Sequence, residues 1–405
     1  MQSILGTAMG PQPPDGGKRD GKQSMPSYLD CRIDADAILA DIEAITRIES
    51  PTSDRAGVNR VLDTIADWFA GTGAVLERFK TDDDRFGDML RVTCDPGRNE
   101  PGILVLSHVD TVHPLGTLAG PLPFRREGNK VYGPGAYDMK GGLVLAIAAF
   151  RQLARDNVAR RLPLTFLFNP DEEVGSVGSR KAIEQEGARH RYVLVTEPKR
   201  GGGKIVTERK GTGRFVVRAR GLPAHAGAAH HKGKSAIRAM AEVILQIEGF
   251  TDYKRGITTN VGLVSGGTGV NVIPEHCTAN ADLRVCDLEA AAEMERRFRA
   301  LSASGAGVEI TVTGGIHRPP FVRGPHVEAL FAKAVAVARR MGLELQSDGL
   351  SGGGSDGNFT AANGIATLDG LGIDGDGAHT NHEHLLYSSI EPGTRLMMGL
   401  METLE

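Results

Sequence analysis

The sequence predicts an α/β protein: a mostly parallel sheet covered by helices, the plan of a zinc-peptidase-like catalytic domain, with a ferredoxin-like α+β domain inserted into it. Three observations carry this expectation. Short apolar stretches without alternation, ILVLS (103–107), LPLTFLF (162–168) and RYVLVT (191–196), are separated by helix-like stretches, as strands buried on both faces are. Between about 208 and 318 the order becomes strand, helix, strand, strand, helix, strand, which is the ferredoxin-like sequence of elements. From 319 to 405 the chain returns to helix–strand alternation and rejoins the first sheet.

The elements follow in order. Residues 1–27, rich in Gly, Pro and charge, read as a flexible tail without the apolar core of a secretion signal. Within the tail, GGKRDGK (16–22) half-matches a phosphate-binding loop, but Gln23 stands where Ser or Thr is needed and no strand precedes it. The first part of the catalytic domain spans 28–207. It opens with helices over Asp36–Ile48 and Gly57–Phe69, where Val58, Leu62, Ile65 and Phe69 recur at helical spacing. ILVLS is a strand, GGLVLAIAAFRQLAR (141–155) a helix, and LPLTFLF and RYVLVT are strands. The inserted lid or dimerisation domain, 208–318, runs through GRFVVRARG, SAIRAMAEVILQIEG, TTNVGLVSGG, HCTANADLRV, DLEAAAEMERRFRAL and GVEITVT.

Composition narrows the function classes. An apolar fraction of 40% and a charged fraction of 24% are those of an ordinary globular chain. A net charge of −3 with no block of one sign gives no reason to expect nucleic acid or an anionic membrane as partner. No stretch reaches the roughly 18 apolar residues of a spanning helix, and a cytoplasmic protein is expected. Four cysteines without a CxxC pair read as reduced thiols.

Acidic and imidazole groups recur just past the strand ends. ILVLS runs into His108-Val109-Asp110, LPLTFLF into Asp171-Glu172-Glu173, and RYVLVT into Glu197, while Asp138 lies in a Gly-rich turn before a helix. Open α/β sheets bind ligands in the crevice beyond the carboxyl ends of their strands. Each of these residues alone reads as a helix cap or a solvated loop charge. Four such endings together read as a site for zinc or a similar divalent ion, and the surplus over three ligands suits two ions bridged by a carboxylate. Asp110 is placed to accept the second imidazole N–H of His108. Neighbours in an extended segment point opposite ways, so Glu173 can ligate while Glu172 faces water and substrate as the base, leaving Asp171 structural.

SHVDTVHP, GPGAYDMKGG, NPDEEVGS, VTEPKR and GAHTNHE resemble, in order, the motifs of the co-catalytic zinc family that includes aminoacylase, glutamate carboxypeptidase, acetylornithine deacetylase and succinyl-diaminopimelate desuccinylase. The likeness covers about residues 35 to 400. It extends furthest toward the bacterial folate-cleaving glutamate carboxypeptidases, through FNPDEEVGSVGSR and AHAGAA. The resemblance implies that His108, Asp138 and Glu197 bind one zinc, and that Asp138 bridges to a second held by Glu173 and a C-terminal histidine; cobalt or manganese are alternatives. His379, His382 and His384 compete for that last place; spacing to Glu383 favours His379, although His382 stands where the family has Asn.

The resemblance further implies that His225 reaches a neighbouring subunit's active site in a homodimer. It also implies that Arg284, Asn271 and the Gly-rich loop around Gly353 meet a substrate carboxylate; Lys204 reads as added positive charge there or as a solvated surface charge. Arg318 reads as a second such charge or as a solvated surface residue. Arginine suits bidentate carboxylate recognition. The expected reaction is therefore hydrolysis of an amide in a small or short peptide substrate with a free carboxylate, releasing a C-terminal amino acid, with glutamate as a candidate. An N-acyl-amino-acid deacylase is the alternative, and a catalytically silent metal-binding scaffold is a reading from another class.

Overall fold

The computed structural model describes residues 26–304 and 307–405. Of the tail expected over 1–27, all but Pro26 and Ser27 lie outside the described residues, as does the GGKRDGK stretch. Helices α1 (Ala35–Thr46) and α2 (Arg55–Trp68) each begin at an aspartate whose side chain accepts first-turn N–H groups, Asp34 from Asp36 and Ala37, and Asp54 from Ala56. The antiparallel pair β1 (Val75–Lys80) and β2 (Asp88–Thr93) follows. Then come β3 (Ile103–His108), α3 (Gly141–Arg155), β4 (Leu164–Asn169), α4 (Arg180–Gly187) and β5 (Tyr192–Val195). The chain continues through β6 (Gly211–Arg220), α5 (Ala236–Glu248), β7 (Thr258–Gly266), β8 (His276–Val285), α6 (Leu288–Arg299) and β9 (Glu309–Arg318). It ends with α7 (Pro325–Arg340), α8 (Gly357–Ala362), β10 (Ala366–Leu368) and α9 (Ile390–Thr403).

The main sheet has the order β1-β2-β4-β3-β5-β10. The strands from β4 to β10 pair in parallel, while β1 and β2 add an antiparallel edge. Sequence reasoning missed that edge because VLERFK lies exposed and its pattern is not apolar. Both faces of the sheet are covered, and β3 shows how. Ile103 and Val105 enter a core with residues of α1, α2, α3 and α9, whereas Leu104 and Leu106 enter a second core with Ile183 of α4 and Phe359 of α8.

Residues 211–318 form a separate antiparallel sheet, β7-β8-β6-β9, with α5 and α6 packed against it over Phe215, Val217, Met240, Val243, Met294 and Phe298. Counted within the segment the strand order is 2-3-1-4, the ferredoxin-like arrangement. Among the described residues no helix is long and apolar enough to cross a membrane.

Gly142 explains the doubled glycine that opens α3. A Cβ there would lie 2.0 Å from the Thr196 carbonyl oxygen and 3.0 Å from Gly372 Cα. The absence of a side chain lets the helix press against the end of β5. This brings the turn carrying Asp138 beside Glu197.

Candidate metal centre

Strands β3, β4 and β5 run parallel, so their carboxyl ends share one rim. His108 closes β3, Asp171-Glu172-Glu173 follows β4, and Glu197 follows β5. The expectation of an extended segment at the two glutamates is corrected: Glu172–Val174 form a 3₁₀ turn. His379 arrives on a turn between two short strands, Gly375–Asp376 and His384–Leu386, with φ at 64°. That left-handed backbone is uncommon for a residue with a side chain. His382 is exposed, and the His384 ring instead packs at a tilt against Tyr132, with centroids 5.3 Å apart.

Two donor groups result. His108, Asp138 and Glu197 present one ligand atom each within 4.8 Å of one another, and so do Asp138, Glu173 and His379. His108 Nε2 lies 3.5 Å from Asp138 Oδ1 and 3.7 Å from Glu197 Oε1. His379 Nε2 lies 3.3 Å from Asp138 Oδ2 and 3.2 Å from Glu173 Oε2. Asp138 thus offers one oxygen to each group.

The donors fit a divalent cation. The His108 Nδ1 position lies 3.0 Å from the Asp110 carbonyl oxygen and 3.3 Å from Asp110 Oδ1, which places the proton on Nδ1 and the lone pair on Nε2. That Nε2 and Glu173 Oε1 are both buried without a hydrogen-bond partner. Two carboxylates facing that nitrogen call for positive charge, and against its own burial, hydrogen bonds to Asp110 and Asp138 hold the His108 imidazole well above its usual value. The cluster takes up protons for the same reason. Burial, then the charge of Asp138, pushes Glu197 up to about 8. Hydrogen bonds to Asp138 and then Glu173 push His379 up to about 11. Burial also raises Glu173, while Asp138, against its own burial, is held below the usual carboxylate range by His108 and His379.

Asp110 does more than face the imidazole. It is fully buried, accepts from Thr52 Oγ1 at 2.6 Å, and accepts the backbone N–H groups of Glu172 and Glu173 at 3.2 Å each. It therefore ties the end of β3 to the turn after β4. Asp171 is buried and accepts from Gly178 N at 2.6 Å and from the Ser179 hydroxyl, closing its own loop.

Glu172 belongs to neither donor group. Its Oε1 and its carbonyl oxygen accept from Arg318 Nη2 at 2.8 and 2.9 Å. Arg318 also donates to Asp356 Oδ1 at 2.8 Å and is only 4% exposed. The expectation of a solvated surface charge at Arg318 is corrected: packing of the last residue of β9 against the rim buries it, and two carboxylates compensate its charge.

Of the residues expected around a substrate carboxylate, Arg284 and the glycine loop come together, with Arg284 Nη1 donating to Gly352 O at 3.5 Å and Arg209 Nη1 donating to Gly353 O at 3.2 Å. Lys204 instead faces Asp348 at 3.8 Å. Asn271 and His225 sit together, with Ala226 N–H donating to Asn271 O at 2.9 Å and His225 paired with Val272, and neither belongs to a donor group. Sequence reasoning missed Arg209, which is fully buried and bonded to Asp369 at 2.6 Å. It also missed the pair formed by His113 and Glu383.

Peptidase family M20/M25/M40 matches residues 104–403. The chain belongs to that family. It is a metallopeptidase-type hydrolase by descent, and two donor groups at the strand ends are the feature such an enzyme requires. The chain is 32% identical over 374 residues to carboxypeptidase G2 of Pseudomonas sp. (strain RS-16), covering 90% of this chain and 89% of that protein. It is 27% identical over 386 residues to succinyl-diaminopimelate desuccinylase of Delftia acidovorans, covering 90% of this chain and 97% of that one. The fold matches that of a tripeptidase from Staphylococcus aureus subsp. aureus mu50 with a TM-score of 0.76 and 22% identity, over 91% of this chain and 98% of that chain.

The titration behaviour of this family member yields a direct expectation. Ligation needs deprotonated donors, yet Glu197 at about 8 and His379 at about 11 hold protons at neutral pH. Ion uptake near neutrality should therefore release protons, and affinity should rise as pH climbs through about 8 and on toward about 11. Calorimetric zinc titrations in two buffers of different ionisation enthalpy should give different apparent heats. Identical heats would contradict the proton-loaded site.

Proposed function

We propose that the protein is a two-zinc amidohydrolase of carboxypeptidase type that releases a C-terminal amino acid, with glutamate the leading candidate, from a peptide or N-acyl substrate. The observation that carries the proposal is the sharing of Asp138 between two donor groups, with Glu172 beside them and outside both. The mixture of imidazole and carboxylate donors suits zinc, with cobalt or manganese as substitutes. Bound there, the ions would polarise the scissile carbonyl and lower the pKa of the attacking water.

The chain's own residues supply the rest. Asp110 orients His108, and Glu172 takes the proton of the water and delivers it to the leaving amine. Arg318 keeps the Glu172 carboxylate in place. Arg284 and the loop at Gly353 recognise the substrate carboxylate. Val112, Leu115, Val174 and Val177 leave apolar side chains exposed on two of the loops that carry ligands, which favours an apolar or aromatic acyl side.

His225 Nδ1 accepts the N–H groups of Gly227 and Ala228 at 3.1 Å each, which leaves Nε2–H as an outward donor for an oxyanion. That donor serves the partner's site in a homodimer. The exposed edge strand β7, with Leu263 and Val264 at 69% and 59% exposure, supports such a pairing. The four cysteines are unpaired, in keeping with the expected cytoplasmic location.

The second reading is an N-acyl deacylase of the desuccinylase type, supported by the 27% identity to that relative over 97% of its length. A panel of N-acyl-glutamates, folate-type conjugates, dipeptides and N-succinyl or N-acetyl amino acids separates the two. Free glutamate from the first two classes is the expected product. Turnover confined to succinylated or acetylated substrates would overturn the carboxypeptidase reading.

A further inference from the structure

We infer that Glu383 is a positioning residue that locks the Asp138 and His379 loops into one frame, and that His113 holds it there. The inference rests on the reading of Asp138 and His379 as metal ligands. Glu383 is 1% exposed and belongs to neither donor group. Its Oε1 accepts the backbone N–H groups of Tyr137 and Asp138, both at 3.0 Å. Its Oε2 accepts the N–H of Gly135 at 3.2 Å and the Nε2–H of His113. One carboxylate therefore satisfies four donors, three of them on the turn that carries Asp138.

Glu383 stands four residues after His379, and the interval is closed by local bonds. The Thr380 hydroxyl donates to Gly377 O at 2.7 Å and accepts His382 N–H at 3.1 Å, and Glu383 N–H donates to Thr380 O at 3.3 Å. The rigid turn converts the placement of Glu383 into the placement of His379. His113 belongs to the loop that begins at His108, so ligand loops from three distant parts of the chain meet at a single buried carboxylate.

The carboxylate cannot be replaced by an amide. All four groups around it donate, so the glutamine NH₂ would face N–H groups whichever way it turned. His113, by contrast, supplies one donor from its ring edge, and a glutamine can place its amide N–H in the same position. An aromatic ring without nitrogen cannot.

The test is competition of zinc with a chromogenic chelator, run on wild type, Glu383→Gln, His113→Gln and His113→Phe, with thermal unfolding of each metal-free protein alongside. Glu383→Gln is expected to bind the Asp138–His379 ion about 10–100-fold more weakly, the loss typical when the partner of a ligand is removed. His113→Phe should weaken it in the same direction, and His113→Gln should restore binding close to wild type. A folded Glu383→Gln protein with wild-type affinity for both ions would overturn the inference. Should Glu383→Gln fail to fold, the two His113 variants decide: equal affinities would overturn it, and a weaker phenylalanine variant would uphold it. A wild-type protein that takes up fewer than two ions would instead overturn the two-ion reading on which the inference stands.

Discussion

Glu172→Gln is expected to lower kcat by about 10²–10⁴-fold, the usual worth of a positioned general base, with two ions still bound. Glu172 lies outside both donor groups, so its charge is not needed for ligation. Its backbone N–H is held by Asp110 at 3.2 Å, and its Oε1 accepts from Arg318 at 2.8 Å. A glutamine keeps both bonds, because its amide oxygen accepts from Arg318 as the carboxylate does. The capacity to accept a proton disappears, and with it one of the two carboxylates that compensate Arg318; Asp356 remains beside that guanidinium at 2.8 Å. KM should change little, since the substrate contacts proposed above lie with Arg284 and the glycine loop. Steady-state kinetics with metal analysis of the same preparation check this, and full activity would remove Glu172 from the role of base.

Asp138→Asn should have the largest effect of any single change. Asp138 gives Oδ1 to the His108 side at 3.5 Å and Oδ2 to the His379 side at 3.3 Å. Asparagine offers one oxygen, carries no charge and turns an NH₂ toward the remaining histidine. Both donor groups fail together, whereas a change at Glu197 or His379 damages one. Loss of the several kcal/mol of charge stabilisation that a bound ion supplies corresponds to a fall of about 10³-fold or more in kcat/KM. Metal content by elemental analysis should fall below that of any variant at the other four ligands. Two ions per chain in Asp138→Asn would contradict a bridging carboxylate.

The parallel strands were legible because wholly apolar runs such as ILVLS have no polar face to offer solvent, and the structure buries β3 along its whole length. The metal cluster was legible for a topological reason: parallel strands deliver whatever follows them to one rim. HVD, DEE and Glu197 therefore had to meet if the strands paired. The edge pair β1 and β2 was not legible, because VLERFK owes its strand to pairing with a neighbour and buries little of its own surface.

Arg318 was misread for a related reason. Its partner Glu172 is 146 residues away, and nothing local distinguishes a buried, doubly paired arginine from a solvated one. Glu383 is a stronger case of the same kind, meeting His113 across 270 residues. Its use in judging spacing to His379 was local, but the backbone donors that surround it come from folding alone. The roles expected of exposed groups such as Asn271 and His225 were not legible in the fold, because the partners expected for them, a substrate and a second subunit, lie outside the chain.

The division of labour between the two adjacent glutamates is the central claim, and counting ions tests it most directly. Zinc content should be measured for wild type, Glu172→Gln and Glu173→Gln after identical loading and removal of excess metal. Wild type and Glu172→Gln should each hold two ions, while Glu173→Gln, which loses the carboxylate 3.2 Å from His379 Nε2, should hold one. Loss of an ion from Glu172→Gln, or two ions retained by Glu173→Gln, would contradict the assignment.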